Sequence, residues 1–365
     1  MRVLWVARAP APYRYPIWRA VAKEHELRVA FLHPHGVIRD WQIKEEASFD
    51  QVLLPAFGPR YREDALWMLR RGWQVHLDTM EAVVLQGAWE TPAFWQIKRA
   101  ARRRRIRSVL FYEGNSQSIR HSRGIIAAAR STFMRGVDAV MTPGPAASAA
   151  VVSHGVDPGR IVESVNVVDV AGFHAATSGS RSGTAHDPGD PGRGHRYLVA
   201  AQLIDRKNIA EIITTFADIR QEGDSLTIAG RGPLEAALRD LATELRLDQS
   251  VQFVGHQSET GLQELYAVSH SLVLASHEEV WGLVANEALA SGMHVVVTSN
   301  CGVAASLRGM TGVFVCAPGR EPLAQAMADS RAHWAGWIDV PEILEHDGDR
   351  FARDLDHALT GADHG

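Results

Sequence analysis

Cysteine is nearly absent. Cys301 and Cys316 are the only two in 365 residues, too few for a disulfide framework and expected of a reducing, cytoplasmic setting. Long apolar runs are absent too. None approaches the roughly 18 residues of a membrane helix. The apolar run nearest the start, residues 3–7, is followed at once by Arg8, which suits a buried first strand and not a secretion signal. No cluster of His, Cys, Asp and Glu has metal-ligand spacing, since His33 and His35 make only a weak pair. No metal is therefore expected. No repeat of roughly 20–50 residues is visible, which excludes solenoids and propellers.

What is present is an ordinary apolar content, 46%, and enough length for two domains with sizeable cores. The small net charge, −4, hides an asymmetry. Residues 1–150 carry 23 basic and 13 acidic residues, net +10, whereas residues 151–365 carry 15 and 29, net −14. A basic half on an acidic chain suits an anionic partner, such as lipid headgroups, a phosphorylated acceptor or nucleic acid, or else two solvated faces. The run Arg102, Arg103, Arg104, Arg105 reads as a helix end, where cations are favoured, or as a contact with an anionic surface.

Short apolar runs alternate with helical patterns along the whole chain, the signature of parallel sheets with helices on both faces. RVLWVAR, LRVAFLH, EAVVLQG and SVLFYEG read as strands of the first half, with PIWRAVAKEHE and TPAFWQIKRAARRRRI as helices. In the second half RYLVAAQL, SLTIAG, VQFVGH, HSLVLAS and MHVVVTS read as strands. Asn208 with Glu211 predicts a capping box, and residues 230–233, GRGP, predict a turn before a helix. Residues 175–196 are rich in Gly, Ser, Pro and Asp and predict a linker. Residues 349–359 predict a last helix.

Residues 278–292 read EEVWGLVANEALASG. Glu279 and Glu287 stand in a mostly apolar run, and a buried carboxylate is costly without a partner. The stretch follows the predicted strand HSLVLAS, and open α/β sheets bind ligands beyond the carboxyl ends of their strands. Glu279 then falls on the loop and Glu287 on the first turns of the next helix. Gly282, Leu283 and Val284 lie at that helix's N-terminus, whose free N–H groups favour phosphate. Two carboxylates for sugar hydroxyls around an anion cradle suit a nucleotide sugar.

The same stretch resembles the E-x7-E signature of retaining glycosyltransferases of family 4. AAQLIDRKNI, containing Lys207 and Asn208, resembles that family's GRLxxxKN segment, and residues 226–256 resemble its strand–GxGP–helix–strand block. The resemblance runs along nearly the whole chain and is strongest over residues 197–300. It implies a GT-B fold: two Rossmann-like doubly wound α/β domains facing across a cleft. The expected division is an acceptor-binding domain over residues 1–174, the linker over 175–196, and a nucleotide-sugar domain over 197–340. A C-terminal helix over 341–365 is expected to pack back on the first domain.

By resemblance, Glu279 would hold hydroxyls of the donor sugar and Lys207 would neutralise the leaving phosphate. Glu287 would hold the ribose. Backbone groups of Gly282, Leu283 and Val284 would face the diphosphate or sugar; Gln202, Arg206, Gly230 and His256 are further donor-side candidates, and Arg8, Arg14, Glu113 and Asn115 are candidates on the acceptor or first-domain side. The expected activity is retaining, metal-independent transfer of a sugar from a UDP- or GDP-linked donor to an acceptor hydroxyl. No cofactor is expected. An anionic or lipid-linked acceptor and peripheral membrane contact through the basic domain are the expected partners, and nucleic acid is not.

The sequence departs from the family at four places. Gln202 stands where the family has an arginine, with Arg206 or Arg231 available instead. Residues 302–306, GVAAS, lack the family's glutamate. Glu113 and Asn115 stand near the usual position of a histidine, and residues 8–13 lack paired glycines, which leaves Arg8 or Arg14 to face phosphates. These departures keep a non-catalytic nucleotide-sugar-binding homologue open. The fold alone keeps a nucleotide-sugar epimerase open, and Glu279 with Glu287 as an acid–base pair would make a glycosidase. Trp41, Trp67, Trp73 and Trp89 are candidates for an acceptor groove.

Overall fold

A computed structural model describes residues 1–33, 47–57, 69–70, 72–87, 89–119, 121, 123–182 and 194–361. Trp41, Trp67 and His35 lie outside the described residues. The chain divides into two compact units, Met1–Val168 with Gly348–Gly365, and Asp169–Asp347.

The first unit runs β1 (Arg2–Ala7), α1 (Tyr15–Glu24), β2 (Glu26–Phe31), β3 (Asp50–Leu53), the short pair β4 (Ala56–Phe57) and β5 (Leu69–Arg70), α2 (Trp73–Leu77), β6 (Ala82–Gln86), α3 (Pro92–Arg104), β7 (Arg107–Phe111), α4 (Gly124–Arg135), β8 (Ala139–Thr142), α5 (Pro145–Ser153) and β9 (Ile161–Glu163). Its main sheet is parallel, in the order β3-β2-β1-β6-β7-β8-β9. Strand β1 sits in the middle, pairing Trp5 with Val29 of β2 and with Val84 of β6. Successive residues of β1 point to opposite faces. Val3, Trp5 and Ala7 join one core, while Leu4 and Val6 join the other. Burial on both faces is why this strand reads as a continuous apolar run.

The second unit runs α6 (Val170–Ser182), β10 (Arg196–Ala200), α7 (Ile209–Ile219), β11 (Ser225–Ala229), α8 (Glu235–Glu244), β12 (Val251–Gly255), α9 (Glu259–Val268), β13 (Ser271–Leu274), α10 (Leu283–Ala290), β14 (His294–Thr298), α11 (Ala304–Leu307), β15 (Val313–Cys316) and α12 (Arg320–Ala332). Its sheet is ordered β12-β11-β10-β13-β14-β15, and all its pairings are parallel. The last helix, α13 (Gly348–Thr360), belongs to the first unit and lies along α1. It buries Phe351, Leu355 and Leu359, and Phe351 packs against the rings of Trp5 and Phe111. Each such side chain contributes about 1.5–3 kcal/mol by burial.

Three expectations need correction. The stretch expected to be linker begins as helix. Residues 175–182 are the second half of α6, held by Phe173 packing on Tyr266 and by Thr177 Oγ1 donating to the Phe173 carbonyl at 2.8 Å. A small, polar sequence thus makes a helix because one face has a surface to lie on. The unit boundaries fall after Val168 and after Asp347, not at 174 and 340. The Asn208 capping box is absent: Asn208 is left-handed (φ 53°), and its amide donates to the Ala275 carbonyl at 3.3 Å instead of accepting from the helix.

At the amino-terminal edge of the second sheet, His195, His270 and His294 stand at or just before the starts of β10, β13 and β14. His270 stacks on Trp334 with ring centroids 4.6 Å apart, and His195 Nε2 lies 2.7 Å from Ser271 Oγ. Burial, then the neighbouring histidines and Arg331 and Arg196, lower His195 to about 2. Burial also lowers His294. His195 stays neutral in the fold while the unfolded chain takes up protons below about 6.5. Stability attributable to it is full above that pH and falls as pH drops, by about 2 kcal/mol at about pH 5. Thermal unfolding of His195→Gln at neutral pH and at about pH 5 checks this, because the variant should lose less stability on acidification than the parent. An equal loss in both would remove His195 from the account.

Candidate active site

The second sheet grows outward from β10 to β12 and then returns to place β13 beside β10. The gap between the carboxyl ends of β10 and β13 is a topological switch point, where open α/β sheets bind ligands. Lys207 follows β10 and Glu279 follows β13, so the two sides of the switch point each bring one charge.

Backbone bonds stitch these loops together. His277 N donates to the Arg206 carbonyl at 2.9 Å, and Arg206 Nη1 donates to the Glu278 carbonyl at 2.7 Å. Lys207 Nζ forms an ion pair with Glu279 Oε2, and Arg206 Nη1 stands 3.6 Å from Glu279 Oε1. The Lys207 and Glu279 side chains are only 14% and 12% exposed, so the pair is shielded from the solvent screening that makes surface pairs weak. Arg206 is thus the second cation here, and Gln202 is exposed at the end of β10. Arg231, the other candidate, has its guanidinium beside Gly255.

The loop lacking the family's glutamate supports Glu279 through its backbone. Gly302 N donates to the Glu279 carbonyl at 2.9 Å, and Val303 N donates to the Trp281 carbonyl at 3.1 Å. Trp281 is buried, and its indole N–H donates to Asn286 Oδ1 at 3.2 Å. Gly282 opens α10 at φ 110°, where a Cβ would lie 2.6 Å from Leu274 Cδ2. Only glycine lets the chain turn there. Leu283 and Val284 then begin the helix with N–H groups that have no partner within it.

Glu287 lies half-buried one turn further along α10. The Tyr266 hydroxyl of α9 donates to its Oε2 at 2.8 Å. Burial pushes the Glu287 carboxyl up to about 7, with the Tyr266 bond acting in the opposite direction. Burial and the Glu287 charge raise the Tyr266 hydroxyl well above its ordinary range. Tyr266 is a site residue that sequence reading missed. It sits 21 positions before Glu287 in an unremarkable amphipathic helix, and nothing local marks it.

The GRGP turn has a packing reason. A Cβ on Gly230 would lie 1.8 Å from the Ala201 carbonyl oxygen, and one on Gly232 would lie 2.3 Å from that of Leu203. The turn presses against the loop that carries Lys207. His256 is exposed directly after β12, at the same edge of the sheet.

In the first unit, Arg14 is turned into the fold. Its side chain is 1% exposed and paired with Glu113, and Nη1 donates to Asn166 Oδ1 at 2.6 Å. Asn166 Nδ2 donates to Glu113 Oε1 at 2.7 Å, and the guanidinium lies 5.1 Å from the centre of the Phe111 ring. A buried cation must be matched locally, and Glu113 does so. Arg8 is exposed. Asn115 forms a turn with Ser118, accepting from its N–H at 3.0 Å. Trp73 is core, whereas Trp89 is half-buried with Arg130 stacked on it at 5.0 Å. Among the described residues, no group of three His, Cys, Asp or Glu could hold a metal ion.

Known proteins resemble the chain in part of its sequence and in its fold. The family described as Glycosyl transferases group 1 matches residues 187–329, the segment holding Lys207, Glu279 and Glu287. A glycogen synthase of Mycobacterium tuberculosis is 34% identical over 156 residues, 42% of this chain and 35% of that one. A D-inositol 3-phosphate glycosyltransferase of Pseudarthrobacter chlorophenolicus is 31% identical over 209 residues, 55% of this chain and 46% of that one. An alpha-monoglucosyldiacylglycerol synthase of Streptococcus pneumoniae is 36% identical over 112 residues, 29% of this chain and 25% of that one. The chain thus spans between a quarter and a half of the length of these relatives. Among solved structures, the lipopolysaccharide outer core galactosyltransferase WaaB superposes with a TM-score of 0.72 at 13% identity over 99% of both chains. Anabaena HepE in complex with UDP and glucose gives 0.68 at 13% identity, over 99% of this chain and 100% of that one. The fold is two parallel-sheet Rossmann-like units, as in GT-B glycosyltransferases.

Proposed function

We propose that the chain is a retaining glycosyltransferase that moves a sugar from a nucleotide-diphosphate donor to an acceptor hydroxyl. The observation that carries the proposal is the Lys207–Glu279 pair, with Arg206 beside it, at the switch point of the second sheet. An ammonium has three donors, so Lys207 can hold Glu279 and a phosphate oxygen together. Glu279 in turn accepts from the hydroxyls of the sugar, and Glu287 from those of the ribose. Two cations and the N-terminus of α10 are already in place where charge builds on the leaving diphosphate. Such preorganisation needs no reorganisation during reaction, and on this reading no divalent ion is required. The acceptor oxygen bonds to the anomeric carbon as the bond to the phosphate oxygen breaks. That oxygen takes the acceptor's proton, and attack from the departing side keeps the configuration.

UDP is the favoured donor nucleotide, in line with the UDP held by HepE. The basic first half and the diacylglycerol in one relative's name support an anionic or lipid-linked acceptor. A thermal-shift panel of UDP, GDP, ADP and their sugars tests the donor site. A ligand at about 100 times its Kd adds about 2.7 kcal/mol, a shift of a few degrees. UDP compounds should stand out. No shift with any nucleotide would sink the proposal, and binding without transfer or donor hydrolysis would leave a non-catalytic binding protein. The anomeric configuration of the product, read by NMR, decides retention.

A further inference from the structure

We propose that an arginine-lined cleft at the amino-terminal edge of the first unit's sheet binds a phosphate-bearing anion. The cleft has a volume of about 670 Å³, and Arg102, Arg105, Arg107, Arg135, Asp138 and Arg160 are among the residues lining it. They arrive from separate places in the chain. Arg102 lies on the last turn of α3, and Arg105 is that helix's left-handed cap (φ 57°). Arg107 opens β7, Arg135 ends α4, Asp138 precedes β8, and Arg160 directly precedes β9. The cleft therefore sits where three neighbouring parallel strands begin. Arg14 and Glu113 lie at the opposite edge of that sheet, and the pair Lys207 and Glu279 is in the other unit.

The positive charge of the cleft is largely unmatched. Five guanidiniums face one carboxylate, and Asp138 Oδ2 is already taken by the N–H and hydroxyl of Ser108, both at 2.7 Å. The hydrogen bonds of three arginines go to neutral carbonyls. Arg107 Nε donates to Ala358 O at 2.8 Å, Arg135 Nε to Ser131 O at 3.3 Å, and Arg160 to Asp138 O and Arg135 O at 3.1 and 3.3 Å. These contacts hold the side chains and use only some of the five donors on each. Among the described residues, the guanidiniums of Arg102 and Arg105 have no hydrogen bond or ion pair. Helices α3, α4, α5 and α13 all end at this edge, but each helix end carries only about half a negative charge. Four such ends and Asp138 still leave the cleft net positive. A guanidinium fork matches phosphate oxygens in geometry as well as charge, and a phosphate group on a soluble metabolite or a lipid headgroup supplies the same chemistry.

The test uses full-length protein carrying Lys207→Ala, so that the cation of the donor site does not contribute. Two probes are used at about 150 mM salt, where weak long-range attraction is screened: pyrophosphate by calorimetry, and phosphatidylcholine vesicles with or without phosphatidylglycerol by co-sedimentation. The comparison variant adds Arg102→Gln and Arg105→Gly. Both side chains are exposed, and glycine suits the left-handed backbone at position 105, so the fold should hold, with an unchanged Tm as the check. The expected result is binding that weakens roughly tenfold or more when the two arginines are removed. Pyrophosphate binding identifies a soluble phosphate ligand, and binding confined to phosphatidylglycerol vesicles identifies a headgroup. No binding of either probe overturns the proposal, as does binding equally strong with and without the two arginines.

Discussion

Lys207→Ala is expected to lower kcat by about 10²–10³-fold, the largest effect of any single substitution at the site. On the proposed reaction, negative charge grows on the leaving diphosphate, and Lys207 is the more deeply shielded of the two cations beside Glu279. Arg206 remains in the variant, so the loss should stop short of the whole rate enhancement. The change also takes the nearer cation from the shielded Glu279 carboxylate, with Arg206 remaining at 3.6 Å, which should cost about 1–2 kcal/mol of stability. Lys207→Arg keeps the charge and should recover part of both losses. Steady-state kinetics with the best donor from the panel, together with Tm, separate the effects. A kcat for Lys207→Ala within a few-fold of the parent would take Lys207 out of the chemistry.

Glu287→Gln should weaken nucleotide binding and make the empty protein more stable. A hydrogen bond to a charged group contributes about 1.5–3 kcal/mol, so loss of the carboxylate that receives the ribose hydroxyls should cost roughly ten- to a hundredfold in affinity. The stability effect has the opposite sign. Burial raises the Glu287 carboxyl from 4.5 to about 7. Well below pH 4.5 it is protonated in both folded and unfolded chains and contributes nothing. As pH rises from there to about 7, the unfolded chain ionises while the fold keeps its proton, so stability falls. Above about 7 the cost is complete, on the order of 3 kcal/mol. Glutamine has no such cost. The variant should melt higher than the parent near pH 8, and most of the difference should be gone near pH 4.5. Nucleotide affinity of the parent should rise with pH through about 7, since the ribose needs the ionised form. Calorimetric titration and melting curves at the two pH values provide the check. Unchanged affinity in Glu287→Gln would end the ribose assignment, whatever happened to Tm.

Much of the fold was legible because parallel strands buried on both faces must be continuously apolar. RVLWVAR, SVLFYEG and MHVVVTS could hardly be anything else. The edge strands β3 and β9 were missed for the same reason. They are only half-buried and short, with Asp50 and Glu163 exposed at their ends, so they carry no such signature. The second half of α6 was misread as linker because Gly, Ser and Thr describe a helix poorly until a surface is present for it to cover.

The site divides in the same way. Glu279, Gly282 and Glu287 stand close in sequence on one loop and one helix, so their spacing, and the family pattern they resemble, could be read directly. Local sequence also determined that a helix starts after Gly282. Only the tertiary structure decided which charges meet. Lys207 pairs with Glu279 across 72 positions, Arg14 with Glu113 across 99, and Tyr266 with Glu287 across 21. Arginines from separate segments of chain line one cleft for the same reason. Apolar burial fixes the order of strands in each sheet, and strand order, which no local pattern records, determines which loop ends stand side by side.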